Sequence, residues 1–163
     1  MSEEGEPSVR LRPLEREDLS LLHMWQNNAA LRDTFIGRPF PISRDSVERW
    51  FEMQENSRYP DTVAFCIDYG AEAIGLLRLS EIQWVHRTTT VSIFIGRTDL
   101  HGQGLGSMAL NLATRYAFFS LGLQRVSALI ADGNDASLRL FERNGFRREG
   151  VLRKLFYIGG DWH

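Results

Sequence analysis

A single cysteine, Cys66, stands in the 163-residue chain, so no intramolecular disulfide can form and no thiolate metal cluster can be built. Cys66 lies in the apolar stretch Val63–Tyr69, where a cysteine reads as a small buried hydrophobe rather than a nucleophile. No apolar run approaches the ~18 residues that a membrane span needs. Met1–Val9 has neither the basic nor the apolar region of a secretion signal, and the expected setting is cytoplasmic. A strong excess of either charge is also missing: the formal net charge is −2, with both signs scattered along the chain. A nucleic-acid binder would need a concentrated basic face, so this balance argues against one, though not against a local patch for one phosphorylated cofactor. What is present is the ordinary mix of a globular protein, 43% hydrophobic and 25% charged, with no repeat and no linker. One domain over residues 9–163 is expected, after a disordered stretch over residues 1–8.

Periodicity sets the order of elements. Val9–Leu14 alternates apolar and charged side chains and reads as a strand. A helix opening at Glu15–Asp18 carries Leu19, Leu22 and Trp25 on one side and stops at Asn27-Asn28. Phe35–Pro41 is loop, and Ser43 caps a second helix with Val47, Trp50 and Phe51 on its apolar face. Val63–Tyr69 and Ala73–Ile82 flank a short connection that suits an antiparallel hairpin, and Thr88–Ile95, rich in β-branched residues, is the next strand. Ser107–Leu121 reads as a long helix, Arg125–Ala131 as a strand, and a further helix is capped by Asn134 or Asp135 and ends at Asn144-Gly145. Phe146–Phe156 is expected to be a strand and Gly159-Gly160 a turn. The strand–helix–strand unit over Thr88–Ala131 makes its two strands parallel, while the other connections are hairpins. The expected fold is α/β, a mixed sheet with helices on both faces.

The informative segment is His101-Gly102-Gln103-Gly104-Leu105-Gly106-Ser107, between a strand and a helix. Its alternate glycines permit positive φ and leave no Cβ to block a close ligand. The helix that starts here adds unpaired N–H groups and the positive end of its dipole, which together suit a diphosphate. The plainer reading is a turn that needs flexible backbone. A dinucleotide fingerprint fails because the third glycine comes one position early, and a nucleoside-triphosphate loop fails for want of a lysine.

The same segment resembles the Arg/Gln-x-x-Gly-x-Gly/Ala signature of the GCN5-related N-acetyltransferases (GNAT). Asn134-Asp135-Ala136-Ser137-Leu138-Arg139-Leu140-Phe141-Glu142-Arg143-Asn144-Gly145-Phe146 is similar to the family's second cofactor segment, N-x-x-S-x-x-L-Y-E-K-x-G-F. Arg10–Leu19 resembles the opening of the family's ribosomal-protein and spermidine acetyltransferase branch (RimJ/RimL/SpeG-like), and Leu79–Arg87 resembles the spermidine enzymes. The resemblance implies a mostly antiparallel mixed sheet whose parallel strands four and five splay apart to admit pantetheine. It implies acetyl-CoA as co-substrate, no metal, and direct attack by an amine acceptor, either a small molecule or a protein N-terminus. Carried over, the main chain of Phe94, Ile95 and Gly96 binds the pantetheine amides. His101, Gly102, Gln103, Gly104, Leu105, Gly106 and Ser107 hold the diphosphate. Asn134, Ser137 and Phe141 face the pantetheine arm, and Arg143 reaches the nucleotide, unless it is merely a solvated helix face.

The sequence also departs from the family. A glutamate common on the fourth strand is replaced by Thr90, which leaves Glu81 as the carboxylate base, unless Glu81 is a surface group or a partner of Arg87. His86, with an ordinary pKa of ~6.5, is a second candidate, or a solvated loop residue. Phe141 stands where the family's tyrosine acid is usual and can donate no proton. His101 stands where arginine or glutamine is usual, so cofactor binding is expected to be weaker or pH-dependent. Asn27, Asn28, Phe35, Arg38 and Trp84 are expected to line the acceptor pocket. Thr34–Pro39 contains Arg38 and no carboxylate, which disfavours a polycation such as spermidine. The resemblance implies a last strand after Gly159-Gly160; the expectation here is either a shortened polypeptide or a sheet lacking that strand, and an exposed sheet edge invites pairing with a second copy. A non-catalytic acetyl-CoA-binding module of the same fold is the alternative to an enzyme.

Overall fold

The computed structural model describes residues 8–32, 40–54 and 59–163. Residues 1–7, part of the stretch expected to be disordered, lie outside the described residues, as do Phe35 and Arg38. Ser8 is tied to the sheet, because its carbonyl accepts the Gly70 N–H at 3.3 Å.

Five strands form one sheet in the order β1 (Val9–Pro13), β2 (Val63–Tyr69), β3 (Glu72–Gln83), β4 (Thr88–Ile95) and β5 (Arg125–Ser127). The first three pairings are antiparallel, and β4 pairs with β5 in parallel. The alternation of side chains across a strand sorts the core into two layers. Leu76 of β3 packs with Leu19 and Leu22 of α1 (Leu19–Gln26) and Val47 of α3 (Arg44–Gln54), and Phe94 of β4 joins them. On the other face, Leu77, Leu79 and Val91 meet α4 (Leu105–Arg115) and α5 (Asp135–Arg143). Ala109, Ala113 and Ala117 are fully buried, so small side chains let this helix lie close on the sheet. A short helix, α2 (Ala29–Arg32), follows α1.

Three expectations are corrected. The long helix is α only to Arg115; Tyr116–Ser120 widens into a π turn that brings the Tyr116 ring edge-on to Phe65. The strand expected over Arg125–Ala131 stops at Ser127, because β4 offers it no partner beyond Thr90. Phe146–Phe156 is not a strand. Phe146 packs on Phe141, Glu149 turns back to Arg125 at 2.9 Å, and Val151, Leu152 and Leu155 beyond it are exposed, so the segment buries no apolar face against the sheet. A separate hairpin, β6 (Tyr157–Ile158) and β7 (Asp161–Trp162), closes the described chain around Gly159-Gly160.

Arg12 of β1 staples the first elements together. Its guanidinium grips both oxygens of Asp18 at 2.6 and 2.8 Å and reaches Asp68 of β2 at 2.9 Å. Burial alone would raise the Asp18 carboxyl, but Arg12 and the Glu15 N–H outweigh it and hold the carboxyl below its ordinary value. A carboxylate depressed in the folded state adds stability above its unfolded pKa of about 3.9 and loses it as pH falls through the folded value. Acid unfolding should therefore steepen below about pH 4. Asp18→Asn should destabilise the protein by about 3 kcal/mol near neutrality and flatten that acid limb, as measured by urea titration at several pH values.

Candidate active site

The glycine loop sits where β4 hands over to α4. A short 3₁₀ turn, Thr98–Leu100, precedes it, and Arg97 braces the turn by bonding Asp99 and Glu72. Gly102 and Gly104 have φ of 80° and 79°, and a Cβ at either would meet nothing within 4 Å, so the loop is open above both. Gly104 is the N-cap of α4, and the first N–H returned to it is that of Met108, at 3.1 Å. The N–H groups of Leu105, Gly106 and Ser107 have no earlier turn to bond. Those of Gly102, Gln103 and Gly104 make no main-chain bond among the described residues. Ser107 Oγ accepts from Asn144 Nδ2 at 2.7 Å, which joins α4 to α5 and leaves the hydroxyl proton to donate elsewhere. A shallow cavity of about 410 Å³ takes in Ser107, Met108 and Asn144 along the flank of α4; it adjoins the loop and is not the cleft described next.

That cleft opens between β4 and β5. They pair at only three rungs, Thr88↔Arg125, Thr89↔Val126 and Thr90↔Ser127, after which β4 runs on to Ile95 without β5 beside it. In an antiparallel ladder, main-chain groups alternate between inward and outward. The Gly96 N–H is spent on Ile74 O at 2.7 Å, so the ladder turns Phe94 and Gly96 toward β3. The outward carbonyls are marked by their partners: Thr89 O accepts from Ser127 Oγ at 3.2 Å, and Ile95 O lies 2.9 Å from His101 Nε2. Against expectation, Phe94 and Gly96 therefore turn their main chain to β3 rather than to the cleft, and Val91, Ile93 and Ile95 are the residues of β4 turned outward. Gly96 has a packing role instead, since a Cβ there would overlap the Trp25 indole.

From the far side of the cleft, Asn134 Oδ1 caps α5 by accepting the Ser137 N–H at 3.1 Å. Phe141 is buried and stacks edge-on against Phe146 with ring centroids 4.9 Å apart, while Arg143 is exposed.

Polar groups gather at the closed end of the cleft. Glu81 has φ of 54°, an unusual value for a non-glycine residue, at an irregularity between Ser80 and Gln83 of β3. Its Oε2 accepts from Thr90 Oγ1 at 3.1 Å, and Thr90 Oγ1 lies 3.5 Å from Ser127 Oγ. Arg87 does not take Glu81; it donates to Gly122 O at 2.6 Å. His86 is exposed on the β3–β4 turn and makes no hydrogen bond among the described residues. Ser127 was invisible to sequence reasoning, because nothing local announces which residue of a parallel neighbour faces Thr90.

The remaining residues expected in the acceptor pocket are engaged in the fold. Asn27 spans His23 O, Ile42 O and Ile42 N–H at 2.9 to 3.0 Å, which pins the chain on either side of residues 33–39. Asn28 accepts from the Ala30 N–H, and Trp84 donates to Pro60 O while packing on Tyr59. Cys66 is buried, and that burial, with Asp18 and Asp68 nearby, pushes its thiol up to about 12. Among the described residues, no His, Cys, Asp or Glu cluster could hold a metal ion, and no helix is long and apolar enough to cross a membrane.

A parallel strand pair that parts over an open glycine loop at a helix start defines an acyl-CoA-binding fold, and the family model for the acetyltransferase (GNAT) domain matches residues 8–147. The chain belongs to the GNAT family and is an acetyl-CoA-dependent N-acetyltransferase. It is 32% identical over 158 residues to the spermidine N(1)-acetyltransferase of Escherichia coli (strain K12), covering 95% of this chain and 81% of that one. It is 28% identical over 155 residues to the putative ribosomal N-acetyltransferase YdaF of Bacillus subtilis (strain 168), covering 94% and 84%. The crystal structure of spermidine N-acetyltransferase from Vibrio cholerae in complex with CoA and spermine superposes with a TM-score of 0.87 at 29% identity, over 94% of this chain and 89% of that one.

Proposed function

We propose that the protein passes the acetyl group of acetyl-CoA directly to a primary amine, with no acyl-enzyme. The observation that carries this is the run of unspent N–H groups from Gly102 to Ser107 at the mouth of an open cleft. Those groups and the positive end of α4 bind the diphosphate, with the Ser107 hydroxyl adding a donor. The outward main chain of Val91, Ile93 and Ile95 pairs with pantetheine like an added strand, which requires His101 to release Ile95 O. The Asn134 side-chain NH₂ and Ser137 approach the arm from α5, and Arg143 reaches the nucleotide.

Direct attack is supported by the chemistry at hand. A thiol at about 12 holds almost no thiolate near neutrality, so Cys66 is no acyl carrier. An outward N–H of β4 stabilises the oxygen as it gains charge. Phe141 offers no proton, but a thiol with a free pKa of ~8.5 leaves tolerably as thiolate. Glu81 is the base in preference to His86, because Thr90 holds it at the closed end of the cleft.

The curated relative named above acts on spermidine, but Thr34–Pro39 of this chain carries Arg38 and no carboxylate. We therefore place its acceptor among amino sugars, protein N-termini and other small amines, in a cytoplasmic setting. Thiol release and mass shift with acetyl-CoA against glucosamine, a free-N-terminus peptide and spermidine test this. Turnover is expected with at least one of the first two, and turnover with spermidine alone would overturn the acceptor reading. We also propose that copies associate through the outer edge of β5, which bears no further strand among the described residues. A one-subunit mass by light scattering would contradict that.

A further inference from the structure

We infer that Ser127 and Thr90 form a hydroxyl relay that carries the acceptor's proton to Glu81. The inference rests on the reading of Glu81 as base and adds the route by which a proton reaches it.

The cleft has a direction. The diphosphate loop follows the end of β4 at Ile95, so the thioester, at the opposite end of the extended pantetheine arm, points back along β4 toward Thr90. Five residues of strand at about 3.4 Å each span about 17 Å, comparable to that arm. The cleft closes at the Thr90↔Ser127 rung, with one hydroxyl from each parting strand. Thr90 and Phe94 share a side of β4 by strand alternation, and Phe94 packs with Leu19, Leu22 and Val47. The two hydroxyls therefore face the α1 and α3 side, opposite the Val91 side that carries α4.

The hydrogen bonds can run one way. Thr90 Oγ1 donates to Glu81 Oε2 at 3.1 Å, so its remaining lone pairs can accept from Ser127 Oγ, 3.5 Å away. Ser127 can otherwise donate to Thr89 O, an alternative that keeps the hydroxyl in place when the relay is idle. Glu81 holds its position through a positive φ at a break in the β3–β4 register, and such strain clusters where geometry serves chemistry. Its carboxylate is also exposed, so a proton received there can pass to water.

The step balances. The acceptor attacks as the neutral amine, and as the C–N bond forms its nitrogen becomes cationic and its N–H acidic. That N–H bond breaks and the proton moves to Ser127 Oγ. The Ser127 proton moves to Thr90 Oγ1, and the Thr90 proton to Glu81. The C–S bond then breaks and its electron pair leaves with sulfur as thiolate. Both hydroxyls are restored, and Glu81 ends as the neutral acid. In this scheme Ser127 touches the substrate and Thr90 passes the proton on to Glu81.

The experiment compares Ser127→Ala, Thr90→Val, Thr90→Ser and Glu81→Gln, singly and with Thr90→Val joined to Glu81→Gln. The acceptor is whichever of glucosamine, the free-N-terminus peptide or spermidine turns over fastest. Ser127→Ala and Thr90→Val should each lower kcat about 10- to 100-fold at unchanged acetyl-CoA Kd, and Thr90→Ser should restore it to within about threefold. Thr90→Val should add little to Glu81→Gln, since groups acting as one unit are not additive. Raising pH should rescue both hydroxyl variants relative to wild type, because solvent base then takes the proton the relay would have carried, which a purely structural lesion would not allow. Wild-type kcat in Ser127→Ala and Thr90→Val, beside a crippled Glu81→Gln, overturns the relay and leaves Glu81 as base acting directly or through water. Wild-type kcat in Glu81→Gln overturns the base reading and the relay with it.

Discussion

Gly104→Asp is expected to weaken acetyl-CoA binding about 100-fold or more, while thermal unfolding moves by only a few degrees. The fold should tolerate it for two reasons. Aspartate is among the few residues that enter the left-handed region, where Gly104 lies at φ of 79°, and its Cβ would meet nothing within 4 Å. An acidic group at a helix start is also favourable in itself. Binding should not tolerate it, because the carboxylate would stand where the diphosphate must lie. At about 5 Å and an effective dielectric of 20, one pair of like charges costs about 3 kcal/mol, close to 100-fold in affinity. Gly104→Asn has nearly the same shape without the charge and should lose about tenfold or less. Calorimetric titration of the two variants separates charge from shape, and equal losses would contradict the cradle.

Glu81→Gln is expected to lower kcat by about 10²- to 10⁴-fold while acetyl-CoA Kd stays unchanged. The glutamine oxygen can still accept from Thr90 Oγ1, so the strained segment keeps its anchor. What disappears is the capacity to take a proton. Turnover should recover partly as pH rises, because solvent base can then take the proton that position 81 no longer accepts. A fall in acetyl-CoA affinity with kcat intact would place Glu81 in the cofactor site instead. The readout is steady-state kinetics across pH beside calorimetry.

How much of this was legible in the sequence depends on the range of the interaction. Val63–Tyr69 and Thr88–Ile95 are strands at the boundaries their apolar and β-branched runs suggest. Ser43 and Asn134 cap helices through bonds three residues long. The glycine loop was legible because its conformation is a local property of residues that permit positive φ. Where the outcome depends on a distant neighbour, periodicity falls silent. Arg125–Ala131 is apolar enough for a longer strand, but β4 parts from it after Thr90. Which main-chain groups of β4 face the cleft depends on the pairing of Gly96 with Ile74, and one step of register exchanges Phe94 for Ile95. Asn27 has a polar side chain that suits a ligand, yet it is consumed by Ile42, fifteen residues on. Ser127 gains meaning only from Thr90, thirty-seven residues earlier and one strand over.

The most direct test of the loop as a diphosphate cradle is calorimetric titration of the full chain with acetyl-CoA and, in parallel, with S-acetylpantetheine, which keeps the thioester arm and lacks the diphosphate and nucleotide. Saturable one-to-one binding of acetyl-CoA is predicted, with affinity lost by about 100-fold or more for the truncated thioester and a similar loss for acetyl-CoA in Gly104→Asp. Equal affinity for the two thioesters, or acetyl-CoA binding untouched by a carboxylate at position 104, would contradict it.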